Sequence, residues 1–357
     1  MSRLLLLARH EGVATAALLE DGVLQDVATA PEDGALEPGA IHLARVARVH
    51  PGLGLVFLSL EGGATATLEA GAAPPAEGEL AIVQVAAGPR DGKPARARRA
   101  VSLVGRHVVL RPGASGTRLP RGAAGGERLA AIAASAATAA GEGFAVALRS
   151  AAAGAGPQAA AAEAAALAAA WRAVAARAAT LSQPALLRAE DAALRAALPL
   201  LRAQPGAALA QARREREALA ALGVEAGLEA PPGGLLAAHG VEEQLAVATA
   251  PRVAIAGGGT LVVEETQALV AVDIDSGEGG RDGLGARAAR ELARVLRLRD
   301  CLGTVVVDFP REGEAARQSA QRALEQATRL DRRQVSLLGW TRGGLYELRR
   351  APMEGGA

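Results

Sequence analysis

The segment from Gly258 to Phe309 constrains the fold of this chain more than any other stretch of its sequence. Two apolar runs, LVAVD and TVVVD, end in Asp273 and Asp308, and a helical pattern ending in ELARVLRLRDCLG lies between them. Parallel strands need a crossover of this kind, which is right-handed in nearly all proteins. We therefore expect the two aspartates at the same edge of a parallel sheet, where ligands bind in open α/β folds.

Two carboxylates at one sheet edge are suited to a hard divalent cation. Mg²⁺ is typically held by one or two carboxylates together with water and substrate phosphate. Either aspartate alone is explained as the cap of a loop or a helix, but the matching strand ends favour a metal site formed by Asp273 and Asp308. Asp275 is either a third oxygen ligand, a residue that orients the ligands, or the start of an Asx turn before Ser276 and Gly277.

Charge and cysteine content narrow the class of protein. Because the net charge is only +1, any attraction for nucleic acid must be local. The single cysteine, Cys301, excludes an intramolecular disulfide framework and is predicted to be a small core residue. No signal peptide is evident, and the tract closest to a membrane span, 151–170, is interrupted by Glu163. These features predict a cytoplasmic protein without a membrane span.

Short alternating segments with Gly and Pro turns predict a small barrel early in the chain. Residues 39–60 alternate apolar and polar around a Pro-Gly turn, which is a hairpin signal, and strands are also expected at 64–69 and 80–86. The basic stretch 88–99 is expected to be a loop and contains Lys93, the only lysine of the chain. Outside the barrel we expect strands at 3–9, 13–27, 107–111, 144–149, 334–339 and 344–348, helices from about 127, over 156–178 and over 187–222, and a connector at 223–234.

Arginines at the ends of strands and in turns are candidates for phosphate binding. Arg149 and Ser150 follow the strand GFAVAL, and an arginine beside a hydroxyl at a strand end is suited to bidentate phosphate recognition. A solvated surface position is the alternative for this pair. Arg118 and Arg121 lie in a Gly- and Pro-containing loop and have the same two interpretations.

Three further arginines lie near the predicted sheet edge or on the crossover helix. Arg342 stands between the last two strands, where it could lie over the same face as the aspartates. Arg297 and Arg299 belong to the last turn of the crossover helix. We expect these two to complement the helix dipole and to coat the helix surface.

Six long segments form an ordered series of motifs along the chain. They are GAIHLARVARVHPGLGLVFLSLEG, LVGRHVVLRP, GFAVALRSAAAGA, LVVEETQALVAVDIDSG, ELARVLRLRDCLGTVVVDF and LLGWTRGGLYELRR. Together they resemble the motifs of the bacterial ribonuclease E/G family. The resemblance implies an endoribonuclease that hydrolyses single-stranded RNA with Mg²⁺. It also implies a mixed fold, α+β and α/β, in which an RNase H-like subdomain with an inserted OB-fold barrel is joined to a 5′-phosphate sensor and a DNase I-like catalytic subdomain.

The same resemblance supplies subdomain boundaries and roles for residues. It implies an RNase H-like subdomain in two parts, 1–36 and 184–250, an OB-fold module at 37–103, a sensor at 104–183 and a catalytic subdomain at 251–357. It further implies that Asp273 and Asp308 bind the metal and that Asp275 is a further catalytic residue beside them. The predicted RNA- and phosphate-binding residues, of which Arg118 and Lys93 come from the basic loops, are Arg149, Ser150, Arg342, Arg118, Phe57 and Lys93.

The chain departs from the family pattern at several positions. Asp275 stands where the family has asparagine, which makes the site one charge more negative. Thr67 and Ser59 replace an aromatic residue and an aspartate on the barrel, so Phe57 is the sole stacking platform and weaker RNA binding is expected, since each stacked base contributes about 1–3 kcal/mol. The family's C-P-x-C zinc motif is not found, and we expect no zinc-linked dimer. A catalytically weakened RNA-binding or regulatory paralogue is therefore the alternative to an active nuclease.

Overall fold

The chain forms two units of strands and helices, each with its own hydrophobic core. The computed structural model describes residues 2–71, 73–89, 92–120, 126–277, 282–310 and 313–351. Unit 1 contains the described residues within 1–10, 15–29 and 202–353, and unit 2 contains those within 11–14 and 30–201. The five subdomain boundaries stay predictions.

Strands and α-helices are numbered in chain order over the described residues. The strands are β1 (Arg3–His10), β2 (Val13–Glu20), β3 (Val23–Pro31), β4 (Ile41–His50), β5 (Leu55–Ser59), β6 (Thr65–Glu69), β7 (Leu80–Ala87), β8 (Ala95–Arg98), β9 (Leu103–Val104), β10 (Val108–Pro112), β11 (Thr117–Arg118), β12 (Phe144–Leu148), β13 (Ala185–Arg188), β14 (Ala207–Ala210), β15 (Gly227–Leu228), β16 (Arg252–Ala254), β17 (Thr260–Glu265), β18 (Val270–Asp275), β19 (Gly303–Asp308), β20 (Val335–Trp340) and β21 (Tyr346–Arg350). The helices are α1 (Gly126–Ala140), α2 (Pro157–Ala179), α3 (Ala192–Leu200), α4 (Arg213–Ala221), α5 (Leu235–Ala238), α6 (Val241–Thr249), α7 (Leu284–Leu298) and α8 (Glu314–Thr328).

Unit 2 contains a closed barrel of five strands. β4 pairs with both β5 and β7, and pairings of β5 with β6, β6 with β8 and β8 with β7 complete the circuit. Alternate residues face inward, so that Val56, Leu58, Ala66 and Leu68 are buried. The predicted hairpin is confirmed, and the barrel is compatible with an OB fold. Part of the basic stretch 88–99 is strand β8 rather than loop, because its alanines face the core while Arg96 faces out.

Unit 2 also packs helices α1 and α2 against a four-stranded sheet in the order β11–β12–β10–β9. The strands and helices expected between 107 and 178 are present. α2 presents Ala160, Ala164 and Ala168 at a spacing of four, and these small side chains are buried in the core shared with α1. This core also contains Ile132 of α1 and supports the strand end that precedes Arg149.

Among the described residues, α2 is the one helix long and apolar enough to cross a membrane by length and composition. Alanine accounts for most of its apolar character, and Glu163 and Arg172 interrupt it with charges that bind backbone groups within unit 2. Length and composition alone are weak evidence for a membrane span.

Unit 1 begins with a five-stranded sheet in the order β15–β14–β1–β2–β3, in which β1 and β14 are parallel. Two expectations are corrected here. The single strand expected over 13–27 is two strands, β2 and β3, because Asp21 and Gly22 form a tight turn with positive φ angles of 48° and 80°. The stretch 187–222, expected to be helical, also contains the second half of strand β13 and all of strand β14, because β4 and β1 supply backbone partners that outweigh the low strand propensity of alanine.

The second sheet of unit 1 has six strands in the order β16–β17–β18–β19–β21–β20. β18 and β19 are parallel neighbours joined through α7, so the predicted strand–helix–strand unit is confirmed. Residues of α7 and α8 share one core with the inward residues of the sheet, such as Val272 and Val307. We call the other face the open face; it carries Arg252, Thr260, Val262, Glu264, Ala271, Asp273, Asp275, Thr304, Val306, Asp308, Glu347 and Arg349.

Candidate functional site

The two predicted metal-binding aspartates stand directly opposite each other. In the β18–β19 register, Asp273 is the partner of Asp308. Both side chains are exposed on the open face, because their neighbours Val272 and Val307 point into the core. Adjacent strands lie about 4.8 Å apart, so both carboxylates can reach one ion between them. The prediction that the crossover brings these two residues together is confirmed.

The donor set at this edge fits a hard divalent cation. Two exposed carboxylates supply oxygen ligands and two negative charges, and they leave room for water and phosphate, which is how Mg²⁺ is usually bound. Within the described part of the chain, no group of three or more His, Cys, Asp and Glu side chains could hold a metal ion. A cation at this edge would therefore have two carboxylate ligands and would take its other ligands from water or a bound phosphate.

Asp275 is engaged on both of its carboxylate oxygens. Oδ1 accepts a hydrogen bond from Gly277 N at 3.0 Å, which is the Asx turn that the sequence offered as one reading. Oδ2 lies 3.5 Å from a guanidinium nitrogen of Arg252 on β16. Both oxygens of Asp275 therefore have partners within the protein, which favours the Asx turn. The role of Asp275 as a third ligand stays a prediction.

Aromatic residues pack behind the strand ends at this edge. Phe309, Trp340 and Tyr346 are mutually in contact, with ring centroids 5.1–6.1 Å apart. The guanidinium of Arg317 on α8 lies 5.0 Å from the centre of the Trp340 ring, in cation–π geometry. Half of the aromatic side chains of the protein thus form one cluster that includes Phe309, the residue directly after Asp308.

Arg342 lies in the turn that joins β20 to β21. β21 begins with Tyr346 opposite Val307, so the turn projects beyond the end of β19 at the edge where Asp308 stands. Thr341 closes the turn, with its hydroxyl oxygen accepting from Leu345 N at 3.1 Å. Arg342 is exposed and belongs to the same sheet edge as the aspartate pair. Its contact with RNA stays a prediction.

Arg149, Ser150 and Arg118 lie at the same end of the four-stranded sheet of unit 2. β11 runs parallel to β12 with Arg118 opposite Ala147, two residues before Arg149. Arg149 donates to Gly105 O at 2.5 Å, while Ser150 and Arg118 are exposed. The strand pairing therefore places Arg118 at the end of β12 that leads into Arg149 and Ser150, although the Arg149 guanidinium is bonded on the opposite side of β12. Arg121, the other arginine of that loop, lies outside the described residues.

A carboxylate from α2 shapes the turn that holds Arg149. Glu163 accepts hydrogen bonds from Arg106 N at 2.6 Å, His107 N at 2.8 Å and Val108 N at 2.9 Å. A Cβ at Gly105 would lie 2.4 Å from the Glu163 carboxyl carbon, so only glycine allows this approach. The one signal in the sequence is that Glu163 is the lone charge of an alanine-rich tract, which does not reveal its partners.

Replacing Glu163 with alanine is expected to destabilise unit 2 by about 2–4 kcal/mol, because three backbone donors lose their acceptor in a half-buried turn. In a Trp340→Phe background the remaining tryptophan is Trp171 of α2, and urea unfolding followed by its fluorescence measures the change. Glu163→Gln keeps one acceptor oxygen and should lose less, and Glu142→Ala, an exposed carboxylate of the same unit, should change little. A loss below about 1 kcal/mol for Glu163→Ala would contradict the role assigned to these three bonds.

Phe57 and Lys93 line one cavity on the outside of the barrel. The cavity has a volume of about 610 Å³, and its lining includes Ser59 and Thr65. The strand registers place Arg48 opposite Phe57, Phe57 opposite Thr67, and Thr67 opposite Arg96. Two exposed arginines therefore flank Phe57 in a row across four strands, and this row becomes visible only once β8 is recognised as a strand.

The two arginines expected to coat the crossover helix are instead turned into unit 1. Arg297 is buried, and its guanidinium donates to Gln25 O at 3.1 Å and to Ala327 O at 2.8 Å. Arg299 donates to three carbonyls, including Ala248 O at 2.8 Å. The surface prediction is wrong because these side chains satisfy backbone carbonyls contributed by segments distant in sequence.

A buried ionic network holds the end of the sheet that lies opposite the aspartates. The fully buried Arg350 binds Asp331 through two bonds of 2.9 and 3.0 Å, and also donates to Asp300 at 3.2 Å and to Cys301 O at 2.8 Å. Arg332 bonds to Asp300 at 2.9 Å, and burial together with nearby guanidinium groups lowers the pKa of Arg332 to about 9. The network fixes the start of β19, whose other end carries Asp308.

Cys301 is a buried core residue, as the sequence predicts. Burial is the main cause that raises the pKa of the Cys301 thiol to about 12, and the charge of Glu265, whose carboxylate lies 3.5 Å from the sulfur, is the second cause. We expect native protein to react with a disulfide reagent at pH 8 at least about a thousandfold more slowly than unfolded protein, because the thiolate is the reactive form. Thiol titration with and without urea measures this; stoichiometric labelling of the native protein within minutes would contradict it.

Comparison with known proteins assigns the chain to a family. Residues 102–352 match the model of the Ribonuclease E/G family. A chloroplastic ribonuclease E/G-like protein of Arabidopsis thaliana is 34% identical over 121 residues, which cover 31% of this chain and 12% of that protein. Ribonuclease E of Escherichia coli is 34% identical over 125 residues, covering 32% and 12%, and ribonuclease G of Escherichia coli is 33% identical over 119 residues, covering 31% and 24%.

The chain thus spans between 12% and 24% of the length of these curated relatives. The family model, in contrast, matches more than half of the chain and includes both strands that carry the aspartate pair. On that match, this protein belongs to the ribonuclease E/G family.

Proposed function

We propose that this protein is a Mg²⁺-dependent endoribonuclease that cleaves single-stranded RNA at the open face of the six-stranded sheet. The observation that carries the proposal is the direct pairing of Asp273 with Asp308 across parallel strands, with both carboxylates exposed. Membership of the ribonuclease E/G family and the names of the relatives support RNA as the substrate.

Asp273 and Asp308 would hold the cation between them. When bound there, Mg²⁺ supplies charge that stabilises the transition state of phosphodiester hydrolysis and lowers the pKa of a coordinated water. Asp275 ties down the chain after β18 through its bond to Gly277 and so fixes the position of the Asp273 strand end. Arg342, in the turn past β19, is positioned to contribute positive charge at the same edge.

Two surfaces of unit 2 would bind the RNA strand. Arg149, Ser150 and Arg118 form a phosphate site suited to a 5′-monophosphate, since an arginine fork beside a hydroxyl matches phosphate geometry. On the barrel, Phe57 offers a stacking platform, and Lys93 lines the same cavity. The flanking Arg48 and Arg96 add cationic and stacking surfaces that offset the loss of the aromatic residue at position 67.

The test is cleavage of a fluorescent single-stranded RNA carrying a 5′-monophosphate, compared with the same RNA in a duplex and with a 5′-hydroxyl. Cleavage that needs Mg²⁺, stops with a chelator and spares the duplex supports the proposal. RNA binding without any Mg²⁺-dependent cleavage would overturn it in favour of the non-catalytic RNA-binding paralogue, for which the single barrel aromatic and the engaged oxygens of Asp275 are the motivating observations.

A further inference from the structure

Arg252 belongs to the same transverse row of the sheet as the aspartate pair. It is opposite Val262 on β17, Val262 is opposite Asp273 on β18, and Asp273 is opposite Asp308 on β19. The backbone of Arg252 is therefore two strand spacings, roughly 10 Å, from that of Asp273. Val253 next to it is buried in the core, which puts the Arg252 side chain on the open face.

The guanidinium of Arg252 is oriented toward the edge where the aspartates stand. It lies 3.5 Å from Asp275 Oδ2, and Asp275 is itself anchored by Gly277 N. The Arg252 side chain is 62% exposed, so most of its donors are accessible to a ligand. An exposed ion pair of this kind contributes little stability, and its main consequence is to orient the arginine.

The charges at this edge also favour the binding of a phosphate beside the aspartate pair. Three carboxylates, those of Asp273, Asp275 and Asp308, would repel a polyanion. Arg252 offsets the charge of Asp275, which leaves the two charges of Asp273 and Asp308 for one divalent cation. A planar guanidinium presents several donors in a fork that matches two phosphate oxygens.

We propose that Arg252 binds a phosphate of the RNA strand that neighbours the phosphate being cleaved, on the β16 side of the aspartate pair. Asp275 acts as the positioning residue that directs the guanidinium. The proposal rests on the proposed function of the open face and adds a binding residue and a direction for the strand, which crosses the sheet along the row from Asp308 to Arg252.

The experiment measures RNA binding without cleavage. The affinity of the full chain for a single-stranded RNA is determined with a chelator present, over a series of KCl concentrations, for wild type, Arg252→Ala, Arg252→Lys and Arg349→Ala. Arg349 is the matched control, because it is an exposed arginine of the open face at the other end of the strands, opposite Thr304. Circular dichroism confirms that each variant is folded.

Arg252→Ala should weaken binding by about tenfold. It should also make the negative slope of log affinity against log salt shallower by about 0.7, the value for one phosphate contact on a single strand. Arg252→Lys should keep the slope, and Arg349→Ala should keep both the affinity and the slope. An equal effect of Arg252→Ala and Arg349→Ala, or an unchanged slope for Arg252→Ala, overturns the assignment.

The two proposals fail in different ways. If wild type cleaves RNA and Arg252→Ala behaves like Arg349→Ala, the role of Arg252 is wrong and the proposed nuclease function stands. If wild type neither binds nor cleaves RNA, the proposed function itself is wrong and Arg252 has no strand to bind.

Discussion

Asp273→Asn and Asp308→Asn are each expected to lower RNA cleavage by at least about a thousandfold. Each substitution removes one of the two carboxylates that face each other at the sheet edge. A cation held by the pair would supply several kcal/mol of transition-state stabilisation, and about 4 kcal/mol corresponds to a factor of roughly a thousand in rate. Single-turnover cleavage of 5′-monophosphorylated RNA at saturating Mg²⁺ measures the loss. Asparagine is nearly isosteric with aspartate, so the fold should be retained.

The matched control for these variants is Glu264→Gln. Glu264 is an exposed carboxylate of the same open face, opposite Ala271 near the start of β18 and away from the edge that carries the aspartates. Its removal changes the charge of the face by the same amount, and cleavage should stay within about twofold of wild type because Glu264 is not a ligand candidate. Both aspartate variants should still bind RNA in the presence of a chelator. Cleavage by either aspartate variant within tenfold of wild type would rule out the two-carboxylate site.

The aspartate pair could be predicted because the signals that define it are local. Each strand begins with a short apolar run that leads directly to its aspartate, and a single helical segment separates the two strands. The handedness of parallel crossovers then brings the strand ends to one edge without any knowledge of distant contacts. The barrel hairpin has the same local character, with a turn at Pro51 and alternating residues on either side.

Strands composed of alanine and arginine could not be predicted from local sequence signals. Alanine in β14 and arginine in β8 carry weak strand propensity, and these short strands exist because neighbouring strands offer backbone partners. The destination of a charged side chain is harder still to predict. Glu163, Arg252 and Arg297 bind groups that lie far away in the sequence. Nothing in the residue types themselves distinguishes them from the glutamates and arginines that lie on a solvated surface.

The two ends of β19 depend on different kinds of interaction. At its end, Asp308 is exposed and held by its neighbours on β18. At its start, Gly303 is opposite Arg350, whose guanidinium is surrounded by carboxylates and the Cys301 carbonyl. The buried network therefore holds the start of the strand that carries Asp308 to the open face, which links the stability of unit 1 to the position of this proposed metal ligand.

Arg350→Met is accordingly expected to destabilise unit 1 by about 3–5 kcal/mol, since removal of one partner leaves Asp331 buried without its counter-charge. The exposed neighbour Arg349→Met should stay within about 0.5 kcal/mol of wild type. In a Trp171→Phe background the remaining tryptophan, Trp340, reports unit 1 alone during urea unfolding.

The double variant Arg350→Met/Asp331→Leu separates the cost of an orphaned charge from the value of the ion pair. Because replacing both partners with apolar side chains removes the unpaired charge, the double variant should be more stable than Arg350→Met, although Asp300 and the Cys301 carbonyl still lose a donor. If Arg350→Met loses less than about 1 kcal/mol, or if the two single effects simply add, the network does not hold the start of β19 in the way that its geometry indicates.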